Sequence, residues 1–457
     1  MERDANIRRD IASAYLAAGT RVVSWIAVSA LVYRRGGTAA FAMLALVRAT
    51  LGLLNYATVG LAPAMIHFLP PRSRPERRVL TPVVEGADPP AIDYAPAEES
   101  SLPSHGPDAL YCNGVALAWG ATVVASVMLV AYEFWFSHRR GGTIGFSPSV
   151  VSVFLTTMGI GTILRLASDP ASALLQVRGK VAFDNALLAM TEILWMGFSL
   201  ALHGSLRGVG VSFLLAGAAL WLARSCWGFA LSGILIPDRR LIRPAILRAL
   251  LAFGAVVTLA QVADFLYAPT DYILIDRLLR PIDIAAYAPA VQIDGGLWLL
   301  ATAMASVVLP RAALAHAQDD RASLRKYYLR GTVATAVLLS VACGLMWLIA
   351  PWFLRQWLGN PMPQTLALLP IVLLNTVVGG SSAVGRSILL GVGRVRPFAG
   401  AVLAAGATNV LFSWAFVRFG GLGLRGVVLG TSVAVVLRCA LWMPWYVLRT
   451  LRATTAT

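Results

Sequence analysis

Charge is scarce in this chain: only 13% of its 457 residues are Asp, Glu, Lys or Arg, about half the share usual in soluble domains. A water-facing globular surface is thereby excluded for most of its length. Cysteine is equally sparse. Cys112, Cys226, Cys343 and Cys439 stand far apart, with no CxxC pair and no zinc spacing, so neither a disulfide framework nor a metal site is expected. The five histidines are scattered. HExxH, P-loop, GxSxG and GxGxxG signatures are all missing, so no catalytic residues and no cofactor are expected. Lysine is almost absent, Lys180 and Lys326 being the two exceptions among 38 basic residues.

What fills the chain instead is apolar: 58% of residues are hydrophobic. Twelve stretches, near 11–33, 38–69, 113–136, 149–176, 182–202, 209–235, 245–272, 284–310, 331–352, 364–390, 397–419 and 424–448, are each long enough to cross a bilayer core of about 30 Å at about 1.5 Å per helical residue. The expectation is an all-α polytopic membrane protein of twelve transmembrane helices. The first span is too long for a signal-peptide core and is read as a retained helix. Pro170 and Pro269 mark places for kinks.

Basic residues set the orientation. With a cytoplasmic N-terminus the inner segments carry 21 Lys and Arg and the outer ones 10, so both termini are expected in the cytoplasm. This bias accounts for most of the net charge of +16 and makes nucleic acid a poor partner. Anionic membrane lipids suit the basic loops better. The segment from Pro70 to Cys112 holds nine prolines and seven acidic residues and is expected to be a disordered cytoplasmic insertion. The stretch 310–330, with Arg321, Arg325 and Lys326 at helical spacing beside Leu324 and Tyr328, suits a helix lying on the cytoplasmic surface.

The basic turn at 236–244 leaves six spans on either side. Two six-helix bundles are expected, 1–238 carrying the Pro-rich insertion at 70–112, and 239–457. A short echo supports the duplication: Arg34 and Ala39 to Ala42 align at constant offset with Arg280 and Ala285 to Ala288.

Charges within spans are the functional candidates, because they are costly in hydrocarbon and face a cavity or a partner. Arg21 and Arg48 each lie about 10 residues, hence about 15 Å, into the first two spans. Ser13, Arg21 and Ser24 share one face of span 1, and Arg48, Gly52 and Asn55 one face of span 2. Arg165 and Asp169, four apart, read as a local ion pair. Glu192 reads either as the partner of an arginine on another helix or as a substrate contact, and Arg224 is a further candidate. In the second half the acids dominate. Gln261, Asp264 and Asp271 form one stripe and Asp294 sits in the next span beside Gln292, positions suited to a coupling proton or cation. Arg386 and Arg438 lie near enough to the cytoplasmic ends to snorkel. The resulting picture is a central cavity, positive on its first-half wall, suited to a phosphate or pyrophosphate group.

The segments YRRGGTAAFAMLALVRATLGLLNYATVGLAPAMIHFLP (33–70), RLLRPIDIAAYAPA (277–290), LPRAALAHAQDDRASLRKYYLR (309–330), FLRQWLGN (353–360), ILLGVGRVRP (388–397) and GGLGLRGVVLGTS (420–432) resemble bacterial polysaccharide transporters. These are the Wzx-like lipid-linked oligosaccharide flippases of the multidrug/oligosaccharidyl-lipid/polysaccharide (MOP) exporter superfamily. The resemblance implies a two-lobed, MATE-like fold in the bacterial inner membrane. It further implies alternating access that carries an undecaprenyl-pyrophosphate-linked glycan to the outer leaflet for surface polysaccharide synthesis, with pathway glycosyltransferases or a polymerase as partners. Arg21, Arg48, Asn55 and Arg224 would bind substrate; Gln261, Asp264, Asp271, Asp294 and Glu192 would couple or gate. The rivals are a drug or metabolite exporter of the same superfamily and a membrane enzyme of polysaccharide assembly. The first would favour acidic pockets, and the second would need a large external loop or an acidic catalytic motif.

Overall fold

The computed structural model describes residues 2–58, 60–69, 107–138, 145–234, 236–265, 268–318, 320–392 and 394–452. Among them every regular element is helical. The first half comprises α1 (Glu2–Leu51), a 3-10 segment (Gly52–Thr58), α2 (Leu61–Phe68), α3 (Pro107–Ser137), α4 (Pro148–Ala167), α5 (Asp169–Val177), α6 (Val181–Ala201) and α7 (Leu206–Ser232). The second comprises α8 (Pro244–Phe265), α9 (Ala268–Leu278), α10 (Ile284–Ala317), α11 (Arg321–Leu358), α12 (Pro363–Ser381), α13 (Ala383–Gly391), α14 (Val395–Arg418), α15 (Gly423–Val435) and α16 (Met443–Arg452).

Ten helical stretches are long and apolar enough to cross a membrane among the described residues. One of these, running through α1, holds two spans, because the chain changes direction at Gly37, whose φ of 70° suits glycine. The helix α8 supplies a shorter apolar stretch, Pro244–Ala255. Ten helices, one of them double, together with α8 agree with the twelve spans read from the sequence. The outward surface confirms the setting: Val123, Val127, Val130 and Phe134 form an exposed stripe on α3, and Val337 and Val341 another on α11. Such rows would be unfavourable in water and are at home against lipid tails.

Spans break where the sequence places prolines or small residues. Span 4 divides at Ser168, just before Pro170, and span 10 at Ser382. Both serines turn their hydroxyls back on a carbonyl three residues earlier, Ser168 on Arg165 and Ser382 on Gly379, each at 2.6 Å. The kink expected at Pro269 adjoins residues 266–267, which lie outside the described residues. The stretch 310–330 does not form a separate surface helix. It continues α10 and α11 to a tight turn in which Asp320 accepts the Ser323 amide at 2.9 Å. That bonding to Ser323 holds the Asp320 carboxyl below its ordinary range. Leu324 and Tyr328 are buried against Val384 and Met443, so packing on α13 and α16 outcompetes the membrane surface for this apolar face. The Pro-rich segment ends earlier than its composition suggested: α3 begins at Pro107, and residues 70–106 lie outside the described residues.

Within each half the helices bundle, α1 with α6 and α7 with α4, then α14 with α15 and α10 with α12 and α13. The halves meet along one continuous apolar cluster that includes Val32, Phe41, Leu44, Tyr287, Ala288, Leu354 and Trp357. Both copies of the short sequence echo therefore lie in the seam. Trp357 Nε1 donates to the Ile26 carbonyl at 2.9 Å, and Arg34 donates to the carbonyl of Gln356. At the opposite end, the Asn113 amide bonds the Leu241 carbonyl and the Arg243 N–H, fastening the connecting turn to α3.

Close backbone approach sets the spacing inside the first half. A methyl group at Gly217 would sit 2.6 Å from the Gly161 carbonyl oxygen, which is backbone and cannot rotate away. Gly217→Val should therefore lower the thermal midpoint of the detergent-solubilised protein by several degrees, an overpacking cost of about 1–3 kcal/mol. Gly19→Ala, with nothing near its new methyl, should leave the midpoint unchanged.

Candidate functional site

The polar seam of α1 docks on α6. Ser13 accepts the Asn185 amide at 2.9 Å, and the Ser24 hydroxyl donates to the Glu192 carbonyl at 2.9 Å. Between these ties Arg21 Nε lies 4.0 Å from Glu192 Oε1, its own side chain half exposed. Glu192 is nearly fully buried and bonds Arg165 Nη1 at 2.9 Å. Arg165 does not take Asp169, four residues on, as its partner. The break at Ser168 moves Asp169 into α5 and leaves Arg165 pointing toward α6.

Arg48 completes the group. Its guanidinium lies over the Trp25 ring at 3.6 Å, Trp25 in turn stacks on Trp195 at 5.9 Å, and Arg165 lies 4.3 Å over Phe213. A desolvated cation–π contact contributes up to about 2 kcal/mol or more, and it offers a cation support without consuming an N–H. Among the described residues Arg48 Nη1 and Arg165 Nε and Nη2 are buried without a hydrogen-bond partner. Both residues line a cavity of about 310 Å³, together with Arg21, Arg224, Asp169 and Glu192. Four arginines against two carboxylates make it cationic.

Arg224 is differently placed. Its guanidinium is buried and paired with Asp184 at 2.8 Å, with a further bond to Ser168 Oγ at 3.1 Å. Asp184 is in turn held by Ser172 and Gln176. The geometry makes Arg224 a clasp between α6, α7 and the break in span 4, with its donors already engaged. Asn55 has no described side chain.

The second half carries its own polar cluster. Asp271 is fully buried and accepts from Tyr287 Oη at 2.7 Å, Asn409 Nδ2 at 2.9 Å and Thr431 Oγ1 at 2.8 Å. The Thr431 hydroxyl also lies 3.0 Å from Asn409 Oδ1 and 3.4 Å from the Val427 carbonyl. The Ser413 hydroxyl reaches Asn409 Oδ1 at 3.3 Å and the Val427 carbonyl at 3.0 Å, so hydroxyls, an amide and a carboxylate form one buried network, a setting in which a carboxylate can take up a proton. Asp294 Oδ1 accepts from Thr376 at 2.5 Å. Both carboxylates line a cavity of about 270 Å³ whose wall includes Arg386 and Arg438. Gln261 and Asp264 lie on α8, but their side chains fall outside the described residues. Among the described residues no three His, Cys, Asp or Glu gather as a metal cluster.

Arg21, Arg48 and Glu192, separate in the sequence, are thus brought together. Asp184, Asn409 and Thr431 were not anticipated. Asn409 and Ser413, four apart in an otherwise apolar span and hydrogen-bonded to each other, were the available signal.

The family described as polysaccharide biosynthesis protein matches residues 143–365. EpsK of Bacillus subtilis (strain 168), an uncharacterized membrane protein, is 26% identical over 196 residues. That match covers 43% of this chain and spans 39% of the relative's length. A multidrug resistance MATE family transporter of the MOP superfamily, in its inward-facing conformation, superposes over 97% of this chain and 100% of its own at TM-score 0.76 and 15% identity. The chain has the same fold as this MATE transporter. An outward-facing MATE conformation matches less well, at TM-score 0.65 and 16% identity over 99% of this chain and 97% of that one. A MOP superfamily transporter from Pyrococcus furiosus, described as having a binding pocket of reverse polarity, matches at TM-score 0.60 and 16% identity over 97% of this chain and 96% of its own. The MATE-like fold read from the sequence is met, and the matched family model and the relative agree with the polysaccharide connection read there. The protein is a multi-pass membrane protein of this architecture.

The clasp generates a prediction. Asp184→Ala strands the buried Arg224 guanidinium and should cost roughly 3–5 kcal/mol of stability, read as a large fall in thermal midpoint or loss of inserted protein. A midpoint within a degree of the parent would show that Arg224 is free to serve the cavity.

Proposed function

We propose that this MOP-fold protein is a transporter that flips a pyrophosphate-linked lipid glycan across the bacterial inner membrane by alternating access between its two bundles. The observation that carries this reading is the first-half cavity, where Arg21 and Arg48 converge with Arg165 and buried donors stand unused. A glycan headgroup is too polar for hydrocarbon, whereas its lipid tail can remain in the bilayer. The protein need only offer the anionic headgroup a polar, cationic passage, and no covalent step is required. Pocket polarity is described as reversed in the P. furiosus transporter, so the fold accommodates sites of different charge. A cationic lining disfavours export of cationic drugs by Coulomb repulsion. The nearer likeness to an inward-facing relative fits a state in which the bundles are sealed through Tyr33, Trp357 and Met362 at the end assigned to the outside. In this reading Asp271, buried in its hydrogen-bond network, takes the coupling proton or cation, and Asp294 borders the same cavity.

Lysine replacement tests the arginines while keeping their charge. Arg21→Lys with Arg48→Lys should insert at parental levels yet restore surface polysaccharide to a flippase-deficient strain at a tenth of the parental level or below, because the planar fork that grips phosphate oxygens is lost. Full restoration by the double variant would rule out recognition by these guanidiniums.

A further inference from the structure

Glu192 Oε1 is the point on which the first-half arginines converge. It lies 2.9 Å from Arg165 Nη1 and 4.0 Å from Arg21 Nε. Yet the match is incomplete. A carboxylate offers two oxygens, whereas Arg165 Nε and Nη2 and Arg48 Nη1 are buried with no acceptor. An unsatisfied buried donor costs about 1–3 kcal/mol, more when charged, and native structures keep few of them without a reason. Arg48 and Arg165, which carry the three orphans, line one cavity, and two of the orphans sit on the guanidinium that Glu192 already holds by its remaining nitrogen.

Glu192 is also placed to give way. Its backbone carbonyl accepts from Ser24, so the tie that holds this turn of the helix does not depend on the carboxylate. Arg48 is supported by Trp25 from the ring face, which leaves its N–H edges for a ligand. A diphosphate carries more acceptor oxygens than a carboxylate and meets guanidinium in the same planar, bidentate way.

We propose that Glu192 is a resident counter-anion which a diphosphate displaces, and that Arg165 is a diphosphate ligand held in reserve by it, alongside Arg21 and Arg48. This rests on the transporter reading in assigning the cavity to a lipid-linked diphosphate. In the empty state Glu192 satisfies Arg165 and Arg21 in part, and so keeps three guanidiniums together in an apolar bundle. When diphosphate oxygens reach the orphan donors, Arg165 exchanges the carboxylate for the ligand. On release the carboxylate returns and competes for the same nitrogen, so Glu192 weakens binding and speeds discharge.

The Trp25–Trp195 stack beside Arg48 provides the probe. Full-length protein in phosphatidylcholine nanodiscs is titrated with inorganic pyrophosphate, tryptophan emission is followed, and Trp25→Phe identifies the signal. The parent should respond saturably. Glu192→Gln, which removes the competing charge, should lower the half-saturating concentration about tenfold, and Arg165→Gln should raise it about tenfold, the value of one charge-assisted bond. Arg165→Lys keeps Glu192 paired but loses the extra donors, so it carries the test if Glu192→Gln does not insert. Its half-saturation should also rise about tenfold. A parental response with unchanged half-saturation in Arg165→Lys and in Arg165→Gln overturns the exchange and leaves the transporter reading standing. No saturable response in the parent overturns both. Repeating the titration in phosphatidylglycerol nanodiscs separates sources of the anion. An unchanged half-saturation assigns the site to a diphosphate, and a tenfold rise shows that phospholipid headgroups compete for it; the exchange with Glu192 stands in either case.

Discussion

Holding several guanidiniums near the middle of an apolar bundle is the constraint to which the first half of this protein answers. A charged arginine at bilayer depth is costly unless a partner or water compensates it. Three different compensations are used. Arg224 has a full counter-ion in Asp184. Arg48 has the face of Trp25. Arg165 has one oxygen of Glu192, which it shares with Arg21. Arg224 has its donors engaged, whereas Arg48 and Arg165 both keep donors without a partner, and that contrast separates the scaffold residue from the two that the proposal gives to a ligand. The clasp at Arg224 ties α6 and α7 to the break at Ser168. That break in turn aims Arg165 at α6 and away from its neighbour Asp169.

The second half answers a complementary constraint. Asp271 is surrounded by donors from α10, α14 and α15, so its charge state is tied to the arrangement of three helices at once. Movement of α14 against α15 is limited by backbone contact, since a methyl at Gly430 would sit 2.4 Å from the Ser413 amide nitrogen. A proton or cation taken up at Asp271 would therefore be felt by a rigid pair of helices rather than by a single side chain. Because the two bundles share an extended apolar seam through Phe41, Tyr287 and Trp357, rearrangement in one is physically connected to the other.

Much of the fold was legible because its cause is one-dimensional. A bilayer needs long apolar helices, and composition alone locates them, while Pro170 marks the break beside Ser168. Arg21, Arg48 and Glu192 stood out for the same reason, as charges where charge is expensive. Partner choice was less visible. The local pairing of Arg165 with Asp169 failed because i, i+4 proximity presumes an unbroken helix, and the Ser168 turn removes it. Asn409 and Thr431 lie 138 and 160 residues from Asp271, a distance at which no local pattern can announce a shared cage. The stretch 310–330 was amphipathic in sequence, but its apolar face found α13 and α16 before it could meet the membrane.

The central claim is that a cationic cavity in this fold carries an anionic lipid-linked headgroup across the bilayer. Reconstitution into liposomes containing a polyprenyl-diphosphate-linked oligosaccharide, with lectin accessibility of the glycan followed on the far side, tests it most directly. Appearance of glycan on that side should be much faster than in protein-free liposomes and should slow when inorganic pyrophosphate is added. A rate equal to that of empty liposomes, in preparations that do export a lipophilic cation, would contradict it.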